Sequence, residues 1–260
     1  MKAGPRSCGL LLVLLLLAAG RAPAAGELPA GWESVPAAAA ALADPGERAV
    51  QVSAKFLGTP YQANTLGGGR GLAEVLTVRL DAVDCFTFLD YVEALRRSAA
   101  AGEFRARLIE VRYRDGVIGW GKRRHFFTDW AAAPGGRVVD VTAEVGGAAV
   151  RQVVKQLNRK ADGTLLLPGV AVQERLIHFV PADALDSQVL GRLRAGDYIG
   201  VYTPEPGLDV THVGLVVRRG NQLDLRHASS RREAGKVIDS DFLTYLAGKP
   251  GIVVLRPVEP

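Results

Sequence analysis

Apolar side chains at Cys85, Phe88, Leu89, Val92 and Leu95 recur at the spacing of one buried helical face, and Asp84 just ahead of them is a natural N-cap. The pattern predicts a helix that opens at Cys85. Much farther along, the run His212-Val213-Gly214-Leu215-Val216-Val217 reads as a strand, Arg219-Gly220-Asn221 supplies turn chemistry, and Leu223-Asp224-Leu225-Arg226-His227-Ala228 returns as a second strand. Turn length sets the register. A two-residue loop at Arg219-Gly220 puts His212 directly opposite His227, a loop at Gly220-Asn221 makes them diagonal neighbours on one face, and a three-residue loop breaks the pairing. Val216, Leu223 and Leu225 fall on the same face as the two histidines. Leu176 to Val180 and Tyr198 to Tyr202 read as further strands. Within them His178 takes a structural position, and Asp197 before Tyr198 reads as a turn residue without a catalytic role.

The N-terminus changes the picture of where such a domain works. Lys2 and Arg6, an apolar leucine-rich run from Gly9 to Ala19 and the small residues around Ala22-Pro23-Ala24 have the order of a secretory signal, which predicts a signal peptide over 1–24, export, and a periplasmic location. The apolar run is too short to span a bilayer, so no stable membrane insertion is expected after cleavage. Residues 25–43, rich in alanine and proline, read as a tether or a loosely docked arm, and 44–260 as one catalytic domain. The chain carries 32 basic and 27 acidic residues. Lys2, Arg6 and Arg21 leave with the signal, and the nearly neutral remainder gives no reason to expect nucleic acid as a partner. Gly67-Gly68-Gly69 lacks the lysine and hydroxyl of a phosphate-binding loop and reads as plain loop.

Removal of the leader also takes Cys8, leaving Cys85 as the one thiol in an oxidising compartment, where a free cysteine needs a chemical reason to persist. In the first turn of a helix it meets unsatisfied backbone N–H groups and the positive end of the macrodipole, which favour thiolate and can form an oxyanion hole. His212 is the candidate base and His227 the group that would hold its tautomer. A zinc site built from the same three residues is the competing explanation, but paired short-spaced ligands are missing; neither metal nor other cofactor is expected.

A cysteine opening a helix, followed far downstream by a histidine opening a strand, is the order of a papain-like site. The blocks Leu57-Gly58-Thr59-Pro60-Tyr61, Val83-Asp84-Cys85, Gly196-Asp197-Tyr198-Ile199, Thr211-His212-Val213-Gly214 and His227-Ala228-Ser229-Ser230 resemble the NlpC-type papain-like cell-wall peptidases. With Arg124-His125-Phe126-Phe127-Thr128-Asp129-Trp130 they are closer to the N-acetylmuramoyl-L-alanine amidase-like branch. The resemblance implies an α+β papain-like fold, with a nucleophile helix packed on an antiparallel sheet and an insertion between Cys85 and His212. It implies cleavage of the bond between the lactyl group of N-acetylmuramic acid and L-alanine in peptidoglycan fragments, 1,6-anhydro-muropeptides being the favoured substrates. Cys85 would be nucleophile, His212 base and His227 the orienting third residue, with Tyr61 beside the nucleophile. His125, Asp129 and Trp130 are candidates for a substrate wall, with a packed corner as the alternative. An endopeptidase cutting between D-glutamate and diaminopimelate, and a non-catalytic muropeptide-binding protein, are the rival readings.

Overall fold

The predicted helix forms where the spacing puts it. Asp84 accepts a hydrogen bond from the Thr87 amide at 2.7 Å while the Asp84 amide donates to the Thr87 hydroxyl at 2.9 Å, and this reciprocal cap opens the helix at Cys85. The structure, a computed structural model, describes residues 28–69, 71–133 and 135–259; the signal peptide read over 1–24 lies outside them. Among the described residues the helices are α1 (Val35–Ala40), α2 (Pro45–Ala54), α3 (Cys85–Arg96), α4 (Phe104–Arg112), α5 (Thr142–Gly146), α6 (Ser187–Arg192) and α7 (Phe242–Leu246). The strands are β1 (Val138–Asp140), β2 (Arg151–Leu157), β3 (Gln173–Pro181), β4 (Tyr198–Tyr202), β5 (Val210–Arg219), β6 (Gln222–Ala228), β7 (Val237–Asp241) and β8 (Gly251–Pro257).

The strands form one antiparallel sheet in the order β2-β3-β8-β4-β5-β6-β7, with β1 also paired to β8. Alternation along the central strands divides the core in two. Tyr198, Val213, Leu215, Val253 and Leu255 pack with Phe88, Leu89, Val92 and Leu95 of α3, whereas Ile199, Val201, Val216, Leu225, Ile252 and Val254 pack with Val145, Val189, Phe242 and Leu246 of the short helices. The expected α+β architecture, a cysteine-bearing helix on an antiparallel sheet, is what the chain adopts. Each large side chain of α3 so buried contributes about 2 kcal/mol.

Buried ion pairs fix the rotation of α3 on the sheet. Glu93 accepts from Arg96 Nε at 2.5 Å and from the Tyr198 hydroxyl at 2.7 Å, and Asp90 accepts from Arg112 Nε of α4 at 2.8 Å. Leaving any one of these charges unpaired in the interior costs about 3–5 kcal/mol, so α3 has little freedom to turn and the direction of Cys85 is set. Upstream of Asp44, Trp32 lies 4.6 Å from the Phe56 ring and Ala39 of α1 is fully buried, so contacts to the core begin at the N-terminal arm.

The elaboration expected between Cys85 and His212 is built from α4, β1, α5, the β2–β3 hairpin and α6, ahead of β4. It is tied to the approach to β5. Lys155 donates to the carbonyls of Thr203, Glu205 and Leu208 at 2.5, 2.8 and 2.7 Å, and buried Asp209 accepts from the Thr128 amide and hydroxyl at 2.8 and 2.9 Å. Two distant segments thereby hold the residues that lead directly into His212.

Candidate active site

The β5–β6 hairpin turns through Gly220-Asn221, because Arg219 pairs with Gln222. That register makes His212 and His227 diagonal neighbours, and their rings meet: His212 Nε2 lies 2.9 Å from His227 Nδ1, with ring centroids 4.9 Å apart and planes nearly perpendicular. Gly214 is the reason a diagonal pair can touch. It sits between the histidines on the same face, and a Cβ there would come within 2.7 Å of the Arg226 carbonyl oxygen and 3.0 Å of His227 Cβ.

The contacts continue into β7. His227 Nε2 is 3.1 Å from Ser240 Oγ, so His212, His227 and Ser240 form a three-member chain across adjacent strands. Tyr245 of α7 covers it, its ring centroid 4.6 Å from that of His227 and 5.8 Å from that of His212. Sequence reasoning missed Ser240 and Tyr245. The run Val237-Ile238-Asp239-Ser240 has no apolar–polar alternation to mark it, a serine in it carries no signal of its own, and a five-residue helix is too short to show periodicity.

Cys85 meets this group from the other side of β5. It is half-buried, and the backbone amides of Val213, Cys85 and Phe86 all bear on its sulfur. Val213 directly follows His212, so the thiol lies against the strand position next to the base. Tyr61 is bridged to Val83 and is close enough to Cys85 and Asp84 for their charges, after burial, to raise its hydroxyl pKa; Tyr245 likewise feels Cys85.

Charge at the site departs from the expected thiolate. Burial, and then the neighbouring Asp84 carboxylate, push the Cys85 thiol up from 9.0 to about 11, outweighing the three amides. His212 is pushed down to about 3, first by burial, then by His227, Lys249 and Arg231; His227 falls to about 4, by burial and then Arg231. At rest the thiol and the imidazole of the strand that lies against it are therefore both neutral. The helix N-terminus supplies its donors, but they do not overcome desolvation plus an adjacent negative charge.

The remaining candidates are held elsewhere. Asp129 is buried, its carboxylate taken by Arg175 at 3.0 Å and by the Phe126 amide at 3.2 Å. Trp130 is also buried, packed against Phe86, Phe127 and Tyr198. His125 Nε2 lies 2.9 Å from the Trp120 carbonyl oxygen, with its ring edge-on to the indole. Asp129 and Trp130 thus take the packed-corner alternative, because the apolar and ion-pair contacts that stabilise them remove them from the surface, whereas His125 stays half-buried. Only through Phe86 does Trp130 reach the neighbourhood of Cys85. His178 on β3 sits 3.9 Å from the Asp140 carboxylate, and Asp197 is fully buried against Arg256, both in structural positions.

A cysteine at the N-terminus of a helix, packed on an antiparallel sheet whose strand carries a paired histidine, places the chain in the α+β fold class of the amidases it resembles. Within it, the chain belongs to the AmiA-like family, described as N-acetylmuramoyl-L-alanine amidase-like, whose profile matches residues 51–252. Among solved structures it is similar to an N-acetylmuramoyl-L-alanine amidase from Bacteroides uniformis, at 28% identity and a TM-score of 0.68 over 83% of this chain and 99% of that one. A Bacteroides fragilis protein provisionally described as a xylanase matches at 30% identity and a TM-score of 0.64, over 78% and 98% of the two chains. Protein LPG0564 of Legionella pneumophila shares the fold at 23% identity and a TM-score of 0.71, over 87% and 94%. No curated protein sequence matches the chain.

Proposed function

We propose that the protein is a cysteine amidase that hydrolyses the amide between N-acetylmuramic acid and L-alanine in peptidoglycan fragments. The observation that carries this reading is the chain His212–His227–Ser240 ending on the strand that lies against the Cys85 thiol. With the proton of His212 on Nε2 and that of His227 on Nε2, His212 donates to His227 and His227 to Ser240. His212 Nδ1 is then bare and free to act as base. This tautomer assignment makes Ser240 a positioning residue: it acts on the base only through His227.

Because both partners start neutral, His212 removes the thiol proton as the sulfur attacks rather than beforehand. The Sγ–C bond forms, the carbonyl becomes an oxyanion facing the amides of Cys85 and Phe86, and His212 gives the proton to the leaving nitrogen of L-alanine as the C–N bond breaks. Water then attacks the thioester, losing its proton to His212. The acid leaves, and the thiol recovers that proton. A xylanase reading calls for two carboxylates flanking the scissile bond. Near Cys85 the one carboxylate that acts on the thiol is its helix cap Asp84, and the phenols of Tyr61 and Tyr245 complete the surroundings, so the amide chemistry is favoured.

Export to the periplasm, supported by the charged and leucine-rich leader, would place the enzyme beside its substrate. The test is mass spectrometry of the purified protein with defined muropeptides carrying anhydro and reducing sugars. Release of free peptide is the expected result, insensitive to EDTA and abolished in Cys85→Ala. Release of a D-glutamate-terminated dipeptide product, unchanged substrate with wild-type protein, or full turnover by Cys85→Ala would each overturn the reading.

A further inference from the structure

Two cations stand over the Tyr245 ring that covers the histidine pair, without an anion of their own among the described residues. Arg231 Cζ lies 5.8 Å and Lys249 Nζ 6.0 Å from the centroid of the Tyr245 ring, the same ring that covers His227 and His212. Neither forms an ion pair with a described residue. The nearby Asp239 carboxylate is already taken by Arg226 and Arg219. Both cations are felt at His212, and both disfavour its protonation. Lys249 also lines a groove of about 590 Å³ bounded by Leu243, Leu246, Phe179 and Pro181, to which Arg151 contributes a further positive charge.

Unpaired positive charge within reach of the base needs a reason, since it brings neither a structural ion pair nor a stronger base. The substrate supplies one. On the sugar side of the scissile amide the anhydro-muramoyl group is uncharged, whereas the peptide arm is rich in carboxylates. In that arm the free carboxylate of the γ-linked D-glutamate lies one residue past L-alanine, roughly 6 Å from the leaving nitrogen in an extended conformation. The His212 and Tyr245 ring centroids are 5.8 Å apart, so measured from His212, the group that meets that nitrogen, the carboxylate reaches the Tyr245 ring on which both cations stand.

We propose that Arg231 and Lys249 form a carboxylate clamp that binds this D-glutamate α-carboxylate, directing the peptide arm over α7 and into the groove beyond Lys249. The proposal rests on the amidase reading of the site. It makes the clamp a specificity device: a substrate whose carboxylate is amidated, D-isoglutamine in place of D-glutamate, offers no charge to the two cations.

The experiment compares these two muramoyl-L-alanyl substrates. Wild-type protein is expected to favour the D-glutamate form about tenfold or more in kcat/KM, chiefly through KM, with the preference shrinking as salt rises. The double variant Arg231→Gln/Lys249→Gln should lower kcat/KM on the D-glutamate form about tenfold and bring the ratio close to one. A ratio near one in the wild type, or an undiminished ratio in the double variant, overturns the clamp. Calorimetric binding of the same two compounds to Cys85→Ala protein separates the two readings. Tighter binding of the D-glutamate form, lost with the two cations, supports the clamp even if wild-type protein cleaves neither amide, an outcome that would sink only the amidase reading. Equal affinity overturns the clamp whatever is cleaved.

Discussion

Alkylation of Cys85 as a function of pH measures the charge state on which the mechanism depends. With the thiol at about 11 instead of 9.0, the thiolate fraction at pH 7 is about one in ten thousand rather than one in a hundred, a difference of about 2.7 kcal/mol. A more basic thiolate is also a better nucleophile. With a Brønsted slope of about 0.4–0.5 this returns roughly eightfold, leaving the protein about tenfold slower than a free thiol toward iodoacetamide before access is counted. The rate should climb about tenfold per pH unit from pH 6 to pH 9.5 without a plateau, because the thiol is far below half ionisation throughout. The assay is mass-spectrometric counting of modified Cys85 in protein expressed without residues 1–24, so that a single thiol reports. His212→Ala is an informative companion: a neutral imidazole holds no thiolate in place, so the alkylation profile should barely move, while amide hydrolysis falls by about 10²–10⁴. A plateau below pH 9, or a rate at pH 7 above that of a free thiol, would refute the reasoning, since both are signs of a preformed thiolate–imidazolium pair.

Three further outcomes test the histidine chain. His227→Ala should lower kcat with little change in KM. His227→Asn or His227→Gln should recover part of the loss, because an amide oxygen still accepts from His212 Nε2, and Ser240→Ala should cause a smaller fall that Ser240→Thr relieves; steady-state kinetics on one muropeptide reads all five, and a KM effect in place of a kcat effect would remove the residues from this role. Gly214→Ala should cost about 1–3 kcal/mol in urea unfolding and depress kcat, because its Cβ would press on the Arg226 carbonyl and His227; unaltered turnover would show that the diagonal contact is not needed. Both histidines stay neutral in the folded protein well below 6.5, so between about pH 4 and 6.5 the unfolded chain binds protons that the native state does not, and stability is lost as pH falls through that window and is independent of these groups above it. Each histidine contributes a slope of up to about 1.4 kcal/mol per pH unit. Unfolding of wild-type and His212→Gln/His227→Gln protein across that range checks it, equal pH slopes being the contrary result.

The site was legible in proportion to how far local pattern governs it. The helix at Cys85 follows from five apolar positions and one cap, all within a dozen residues, and the fold bears out that face residue by residue. The hairpin was read as far as its two registers, and both brought His212 and His227 together; which one forms is decided by where the turn closes, and it closes at Gly220-Asn221. His125, Asp129 and Trp130 show the limit. An aromatic, polar segment has the same composition whether it lines a cleft or fills a corner, and only the partners Arg175, Phe86 and Tyr198 distinguish the two.

What the amino-acid order determined by itself is the helix at Cys85, the β5–β6 hairpin and the two ends of the chemistry: a thiol at a helix start and a pair of imidazoles across a turn. These depend on side-chain periodicity and chain stiffness, which act over a few residues. Tertiary structure decided the charge states and the supporting cast. The pKa of Cys85 depends on how much water α3 and β5 exclude, and the order of Ser240, Tyr245, Arg231 and Lys249 around the histidines depends on β7 and α7 folding back over β6. Desolvation and long-range juxtaposition are properties of the packed volume, and no window of sequence contains them.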